Sequence, residues 1–140
     1  MAIPANLHLQ IVSAERSLVD ERVDEVQIPG ANGYLGVLPG HTPLLTTMSV
    51  GQLWYRQGAT KHFLAIAFGF AEIQPDRVTI LAQTAERADE IDVARAEAAR
   101  KRAEERLAKP HSDTDFDRAR TALLKAMIRL NVASRARIRE

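Results

Sequence analysis

The stretch that decides the fold is VTILAQTAERADEIDVARA, residues 78–96, because the spacing of its apolar residues changes partway along. In its first part Val78, Ile80 and Ala82 alternate with other residues, which is the period of a strand with one buried face. After Thr84 the chain has no glycine and is rich in alanine, arginine and glutamate, which favour helix. The stretch therefore predicts a junction between a β domain and a helical domain.

The composition upstream of this junction is typical of an all-β domain. All seven glycines, five of the six prolines and six of the seven aromatic residues lie before residue 87. Apolar residues alternate with polar ones at Leu7, Leu9 and Ile11, at Val26 and Ile28, and at Leu53 and Tyr55. Many short alternating strands are typical of a sandwich or flattened barrel. We therefore predict an N-terminal antiparallel β-sandwich over residues 1–86.

The helical part carries recognisable start and stop signals. A first helix is expected over about residues 91–108, and Pro110 ends it because proline lacks the backbone N–H. For the second helix we predict Ser112 as the N-cap, with Asp113 and Asp115 in the first turn, where the helix dipole favours carboxylates. The connection is short, so the helices are expected to pack as an antiparallel hairpin.

The two helices differ in their apolar stripes. At 3/4 spacing, the first helix offers Ala96, Ala99, Ala103 and Leu107, and the second offers Phe116, Ala119, Leu123, Ala126, Leu130 and Ala133, widened by Leu124, Met127 and Ile128. An alanine seam buries little apolar area, so we expect a hairpin over residues 87–140 that can move as a unit without losing its helices. The predicted fold class is α+β, a sandwich followed by this hairpin.

The composition also limits the function. The chain has no cysteine, which excludes disulfides and thiolate metal sites. No window approaches ~20 consecutive apolar residues, and the N-terminus lacks a signal-peptide pattern. We therefore expect a soluble, untargeted protein that reaches a membrane only through a partner.

The charge is unevenly distributed along the chain. Residues 1–86 carry five basic and eight acidic side chains, whereas residues 116–140 carry seven basic and two acidic ones. The basic residues of the last segment are Arg118, Arg120, Lys125, Arg129, Arg135, Arg137 and Arg139. This segment is expected to bind nucleic-acid phosphates or an acidic protein surface. Without interleaved aromatic residues or a DNA-binding motif, the protein surface is favoured.

The glycine-rich stretch GANGYLGVLPGHTPLL, residues 30–45, does not have the sequence of a phosphate loop. It lacks the Lys-Ser/Thr ending, and the following residues resemble a strand rather than a helix. His41 has no other histidine and no carboxylate within ten residues, so neither a catalytic triad nor a metal cluster is indicated. We interpret the glycines as turn residues and His41 as structural or interfacial.

Asp92 and Arg95 are the residues most suggestive of a ligand. They lie three apart on one helix face, and an arginine fork can bind phosphate through two parallel hydrogen bonds. Glu86 and Ile91 lie just upstream, where the strand-to-helix junction can add backbone groups. An Asp–Arg pair at this spacing is also common on solvated helices, where it contributes only ~0.2–0.5 kcal/mol. On these residues alone, an ordinary helix is favoured.

Taken together, these residues resemble the epsilon subunits of bacterial F-type rotary ATP synthases over essentially the whole chain. The resemblance is carried by LHLQIVSAE at 7–15, GYLGVLPGHTPLLT at 33–46, VTILAQTAERADEIDVARA at 78–96 and KAMIRLNVA at 125–133. It implies the same two-domain fold and a non-catalytic rotor subunit. In this family the sandwich couples the gamma subunit to the ring of c subunits during proton-driven ATP synthesis. The implied interface with gamma and the c-ring is Gly30, Asn32, Gly33, Tyr34 and His41.

The resemblance also implies a regulatory role for the hairpin. In the family it lies folded on the sandwich or extends along gamma into the catalytic alpha/beta hexamer, where it inhibits ATP hydrolysis. Carried over to this chain, the inhibitory contact with the acidic loops of beta would involve Arg118, Arg120, Lys125 and Arg129. The implied location is the cytoplasmic face of the bacterial plasma membrane, peripheral and held there through the complex.

In some bacterial members, ATP stabilises the folded hairpin at the motif Ile/Leu-Asp-x-x-Arg-Ala, aided by arginines on the second helix. This chain carries the motif as Ile91, Asp92, Arg95 and Ala96, with Glu86 upstream and Arg129 on the second helix. Lys125 replaces an arginine of the family pattern, and lysine lacks the planar fork, so the affinity is expected to be lower. The resemblance thus implies MgATP as a regulatory ligand, but no required cofactor, no metal and no catalytic residue.

Two alternatives remain open at this point. One is a stand-alone binding module whose basic hairpin engages nucleic acid or an acidic protein surface, although the resemblance implies no nucleic-acid partner. The other is an ATP-sensing domain whose main role is ligand detection.

Overall fold

A computed structural model of the chain describes residues 2–109 and 115–138, with the side chains of the last helix described as far as Ala136. The strands are β1 (Leu7–Ser13), β2 (Ser17–Val23), β3 (Glu25–Gly30), β4 (Gly33–Val37), β5 (Leu44–Gln57), β6 (Thr60–Gln74) and β7 (Arg77–Arg87). A 3-10 turn (Ala88–Glu90) leads to the helices α1 (Val93–Ala108) and α2 (Phe116–Ile138). The predicted order, a β domain followed by two helices, is confirmed.

The strands are hydrogen-bonded in the order β2-β1-β7-β6-β5-β3-β4 and enclose one apolar core. All the alternating positions identified in the sequence are buried in that core: Leu7, Leu9, Ile11, Val26, Ile28, Leu53, Tyr55, Val78, Ile80 and Ala82. The pairings are antiparallel except that of β1 with β7, which is parallel. Parallel neighbours need a crossover, and here the chain between β1 and β7 supplies it.

The long strand β6 is kinked at two consecutive residues with positive φ, Phe68 (+61°) and Gly69 (+121°). The pairing with β5 and β7 continues in the same register on both sides of the kink. The side chains that face the core nevertheless change from even-numbered residues before the kink, Leu64 and Ile66, to odd-numbered residues after it, Ala71 and Ile73. The kink therefore leaves Phe63 and Ala65 on the outer face of the sandwich, where they meet the hairpin.

The hairpin has the alanine seam that the spacing predicts, with Ala96, Ala103, Ala119 and Ala126 buried. The prediction that Leu124 and Met127 widen the buried stripe of α2 is wrong, because these side chains are 45% and 52% exposed. Phe116 is also largely exposed. Besides the face that packs on α1, α2 has a second buried face, which carries Ile128 and Val132 and packs on the sandwich. Spacing alone does not show which partner each apolar face of a helix packs against.

The helix boundaries differ from the prediction by a few residues. Helix α1 begins at Val93, with Asp92 as its N-cap. The predicted cap Ser112, with Asp113 and the stop signal Pro110, lies outside the described residues. Asp115, predicted for the first turn, accepts a hydrogen bond from the backbone N–H of Arg118 at 3.0 Å and so caps α2. Neither helix, within the described ranges, has the length and apolar character needed to cross a bilayer.

Candidate functional site

Three of the residues predicted to bind nucleotide converge where α2 crosses the outer face of the sandwich. Glu86, near the end of β7, and Lys125 and Arg129, on successive turns of α2, line a cavity of about 50 Å³. Its other walls are Val50, Ala65, Ile66, Ala67, Thr84 and Ile128. A mostly apolar cavity between the two domains is thus lined by one carboxylate and two cations.

Glu86 and Arg129 form a forked ion pair across this interface. Arg129 Nε lies 2.7 Å from Glu86 Oε1, and Arg129 Nη2 donates to Oε2 at 3.1 Å. The two side chains are only 34% and 22% exposed, so the pair is shielded more than an ordinary surface ion pair. The guanidinium of Arg129, which the family resemblance implies for ATP binding, is therefore occupied by a carboxylate of the same chain.

Lys125 contacts the kink of β6. Its Nζ lies 5.4 Å from the centroid of the Phe68 ring, within the range of a cation–π interaction. Phe68 is the non-glycine residue in the left-handed region among those described, a conformation that is costly for a bulky side chain. The strained residue of the sheet is thus a contact point for α2.

The motif residues on the other helix have structural roles. Asp92 accepts a hydrogen bond from the backbone N–H of Arg95 at 3.1 Å, and its own carbonyl accepts one from Ala96 at 3.0 Å. Ile91 and Ala96 are both buried. Ile91 lies one residue before the cap and Ala96 four residues after it, and apolar residues at these two positions often pack together at the start of a helix. The motif residues Ile91, Asp92, Arg95 and Ala96 therefore specify where α1 begins.

The structure does not bring the two halves of the predicted nucleotide site into one pocket. The residues that line the interdomain cavity do not include Asp92 or Arg95. The Arg95 side chain is exposed and forms no ion pair with any described residue. Sequence reasoning missed that Glu86 pairs with Arg129, because a contact between residues 43 apart leaves no local signal.

Apolar packing surrounds the polar contacts between hairpin and sandwich. Ala65, Ile91, Val132 and Ala133 form a second, smaller core, bordered by Phe63, Ala88, Val93 and Ile128. The guanidinium of Arg135 lies over the Phe63 ring, 5.3 Å from its centroid. In this structure the hairpin is folded against the sandwich.

A further ion pair fixes the junction between the domains. Arg16, in the turn between β1 and β2, donates from Nη1 and Nη2 to the two carboxylate oxygens of Glu90, at 3.0 and 2.5 Å. These hydrogen bonds lower the pKa of the Glu90 carboxyl below its ordinary value. Arg87 donates through Nη2 to the carbonyl of Leu18. The 3-10 turn is therefore anchored to the sandwich on both sides.

The residues predicted to contact gamma and the c-ring fall into two places. Gly30, Asn32, Gly33 and Tyr34 form the tip of the β3–β4 hairpin, where Asn32 and Tyr34 are exposed and the Tyr34 hydroxyl accepts from the backbone N–H of Gln52 at 3.2 Å. A side chain at Gly30 would lie 2.8 Å from the Gly33 carbonyl, so the tight turn requires glycine there.

His41 lies in the loop beyond the other end of β4. It is half-buried, and its Nδ1 lies 2.6 Å from the Thr42 carbonyl. The adjacent Gly40 donates its backbone N–H to the carbonyl of Pro75, which ties the loop to the β6–β7 turn. Over residues 2–109 and 115–138, no three His, Asp or Glu side chains are grouped as a metal site.

An exposed apolar face on β5, β6 and β7 was missed by the sequence analysis. Phe70 pairs with Leu81 across β6 and β7 and with Thr47 across β5, two residues from Leu45. Leu45, Phe70 and Leu81 are 70%, 54% and 53% exposed. The available signal was the apolar residues at outward-facing positions of otherwise alternating strands. A face of this kind marks a docking surface more often than a solvated one.

The four basic residues predicted for an inhibitory contact are not equally accessible. Arg118 and Arg120 are exposed near the start of α2, where Arg120 pairs with Asp117 at 2.8 Å. Lys125 and Arg129 face the sandwich instead. With the hairpin folded, half of the predicted basic surface is occupied.

Comparison with known proteins identifies two family matches along the chain. The model of the ATP synthase delta/epsilon chain β-sandwich domain matches residues 6–88, and that of the long α-helix domain matches residues 89–134. The chain is 50% identical over 129 residues to the ATP synthase epsilon chain of Syntrophobacter fumaroxidans, which covers 92% of this chain and 96% of the relative. It is 47% identical to that of Lawsonia intracellularis, covering 92% and 97%.

Among solved structures, the fold is similar to a chain of the mitochondrial ATP synthase of Euglena gracilis, in a structure of its OSCP, F1 and c-ring. The TM-score is 0.71 with 23% identity, and the match covers 99% of this chain and 84% of that one. At this identity the likeness concerns the fold alone.

Proposed function

The chain belongs to the ATP synthase delta/epsilon family, and we propose from this premise that its sandwich joins the gamma subunit to the c-ring in the rotor. The resemblance inferred from the sequence is thereby confirmed, and the chain is a non-catalytic stalk subunit. The relatives give no support to the stand-alone nucleic-acid module. The subunit acts at a membrane through its complex, and we place it on the cytoplasmic face of the bacterial plasma membrane.

The observation that carries the proposal is the apolar face of Leu45, Phe70 and Leu81. This face is the docking surface for gamma, because a central aromatic residue flanked by leucines supplies the anchor that stable interfaces need. The exposed tip at Asn32 and Tyr34, whose glycines allow close backbone approach, contacts the polar loops of the c-ring.

Binding to purified gamma tests the first contact. Phe70→Glu should weaken binding by about tenfold or more, because it places a charge at the centre of the apolar face. Met127→Glu is the matched control, since Met127 is equally exposed but lies on α2. Equal affinities for the two variants, both folded by circular dichroism, would exclude this face as the gamma site.

Cross-linking in the assembled synthase tests the second contact. The chain has no cysteine, so a cysteine at Asn32 can carry a photoactivated cross-linker as its only attachment point. Products with the c subunit are expected from Asn32→Cys and not from Thr60→Cys, which places the label on the first residue of β6, beside the β5–β6 turn. Identical product patterns would contradict the c-ring assignment.

The hairpin, in this proposal, inhibits ATP hydrolysis by extending from the sandwich into the catalytic alpha and beta subunits. Arg118, Arg120, Lys125 and Arg129 would there meet acidic loops of beta. Replacing all four with alanine should raise hydrolysis by the assembled enzyme. An unchanged rate would show that charge attraction does not drive the inhibition.

MgATP is proposed as a regulatory ligand of the folded hairpin, held by Asp92, Arg95, Lys125 and Arg129. The convergence of Lys125 and Arg129 on one interface supports the second-helix half of the site. A ligand that binds only the folded state shifts the population toward it. Calorimetry should show weaker binding for Arg95→Ala and tighter binding for Lys125→Arg, since arginine restores the fork. If the wild-type chain gave no heat of binding at millimolar MgATP, the proposal would be contradicted.

A further inference from the structure

Lys125 and Arg129 both reach across the domain interface and meet side chains of the sandwich. They are four residues apart, so they lie one turn apart on the same face of α2. Lys125 meets the Phe68 ring on β6, and Arg129 meets the carboxylate of Glu86 on β7. The two receptor residues lie on neighbouring strands, because Ala67 pairs with Thr84 and Ala65 with Glu86.

We propose that these two contacts form a latch that holds the hairpin on the sandwich without any ligand. The latch consists of Phe68, Glu86, Lys125 and Arg129. It rests on the proposed function only in assuming that the hairpin moves in the assembled enzyme. The receptor for α2 is thus built into the sheet, at its kinked strand and at the strand beside it.

The Glu86–Arg129 pair is the stronger half of the latch. A charge-assisted hydrogen bond from Arg129 Nη2 to Glu86 Oε2 and a close ion-pair contact between Nε and Oε1 together fix its distance and orientation. Removing one partner would leave the other charge partly buried beside Ala65 and Ile128, where water replaces the lost bonds poorly. A variant lacking one charge therefore favours the open hairpin, in which the remaining charge is hydrated.

The Phe68–Lys125 contact explains why a strained residue is tolerated in β6. The positive φ of Phe68 brings its half-buried ring within reach of α2 rather than into the sandwich core. Strain of this kind persists where the surrounding structure maintains it, and such residues are concentrated at functional contacts. The kink thereby serves both the shape of the sandwich and the docking of the hairpin.

The latch means that Arg129 cannot pair with Glu86 and bind a phosphate or an acidic partner at the same time. Its fork is taken by Glu86 in the folded state, so a phosphate or an acidic partner must displace that carboxylate to bind there. Release of the hairpin frees Lys125 and Arg129 together. The surface that engages an acidic partner is thus completed only by opening.

Spin-label distance measurements on the full isolated chain, without nucleotide, test the latch. Cysteines at Gln74, in the sandwich, and Asn131, on the exposed side of α2, are unique labelling sites because the chain has no other cysteine. The wild-type pair should give one narrow distance. Glu86→Gln and Arg129→Gln should each raise the ratio of open to closed hairpin about tenfold. The charge swap Glu86→Arg with Arg129→Glu should restore closure at least in part.

Glu97→Gln is the matched control, because it breaks the Glu97–Arg100 pair within α1 without touching the domain interface. Far-UV circular dichroism identifies any variant that has lost its helices. A wild-type hairpin that is open without nucleotide, or Glu86→Gln and Arg129→Gln distributions no broader than that of Glu97→Gln, would overturn the latch. Hydrolysis by the assembled enzyme is a separate readout: an open hairpin with unchanged hydrolysis supports the latch and contradicts the regulatory function.

Discussion

At the scale of single residues, the Ile91 to Ala96 motif has a local role that needs no ligand. Asp92 caps α1, and the apolar residues on either side of it are buried. The sequence identified the motif and its helix but not the cap, because the helix was expected to begin at about residue 91, two residues before its observed start at Val93. Any ligand role of Asp92 must therefore be separated from its capping role.

Asp92→Ala should lower the free energy of unfolding by about 0.5–2 kcal/mol, because the backbone N–H of Arg95 loses its acceptor. Asp92→Asn should cost almost nothing, since asparagine caps as well as aspartate while lacking the charge. Urea unfolding measures both. If the two substitutions were equally destabilising, the carboxylate charge rather than the cap would be what stabilises the helix.

Gly69 is the residue at which the sandwich tolerates a side chain least. A Cβ there would lie 2.0 Å from the Leu81 carbonyl oxygen, and φ is +121°. Gly69→Ala should therefore destabilise the protein by more than about 3 kcal/mol, combining backbone strain with disruption of the β6–β7 ladder. Gly36→Ala is the control, with no atom within 4 Å of the new Cβ and an expected change within about 0.5 kcal/mol. Similar urea midpoints for both variants would show that the kink can relax.

The Arg16–Glu90 pair gives the junction a dependence on pH. Because Arg16 lowers the pKa of Glu90 in the folded chain, the pair stabilises above the ordinary carboxyl range, and this stabilisation is lost as pH falls through the lowered pKa. Both side chains are at least a third exposed, so solvent screening keeps the effect small. Melting temperatures of wild type and Glu90→Gln should differ above about pH 5 and converge in acid.

The Asp20 carboxyl, whose pKa is lowered by its hydrogen bond with His8, contributes to acid sensitivity in both proteins and cancels in the comparison. Arg16→Gln should reproduce the Glu90→Gln curve, since either change removes the pair. A melting-temperature difference that is constant down to pH 2 would rule out this linkage.

At the scale of elements, period-two alternation predicted the strands well because one face of each strand lies in the core. The kink in β6 could not be predicted this way, because glycine after phenylalanine carries no specific signal for a change of facing. The same limit applies to α2, whose apolar residues outnumber the positions that α1 can cover. Leu124 and Met127 were therefore assigned to the wrong face.

The alanine seam predicts uneven protection from hydrogen exchange. The buried positions of α1 are Ala96 and Ala103, which bury far less apolar area than the leucines and isoleucines of the sandwich. Amides of α1 should therefore exchange faster than those in the centres of β6 and β7, because local opening of the hairpin costs less than global unfolding. Equal protection factors in native-state exchange would show that the hairpin and sandwich unfold as one unit.

At the scale of the whole molecule, the two apolar cores are unequal and separate. The large core is formed entirely by the sandwich strands, whereas the small one joins the hairpin to the outer face at Ala65. The candidate site lies at this boundary, which explains why sequence reasoning identified its residues one by one but not their pairing. The motif and the basic helix are local patterns, while the Glu86–Arg129 contact depends on how the two domains dock.

A chain ending after residue 87 should fold on its own, because its core residues all precede that position. Its unfolding should remain cooperative. Among the described residues, the apolar side chains that lose their cover lie around Phe63 and Ala65. In the assembled synthase this truncated chain should still couple rotation to synthesis, since the proposed gamma and c-ring surfaces lie on the sandwich, and hydrolysis should become faster if the hairpin inhibits it as proposed. If the truncated chain folds and assembles but hydrolysis is unchanged, the hairpin does not regulate this enzyme. If it folds but no longer binds gamma, the hairpin and not the apolar face of β5, β6 and β7 provides the attachment.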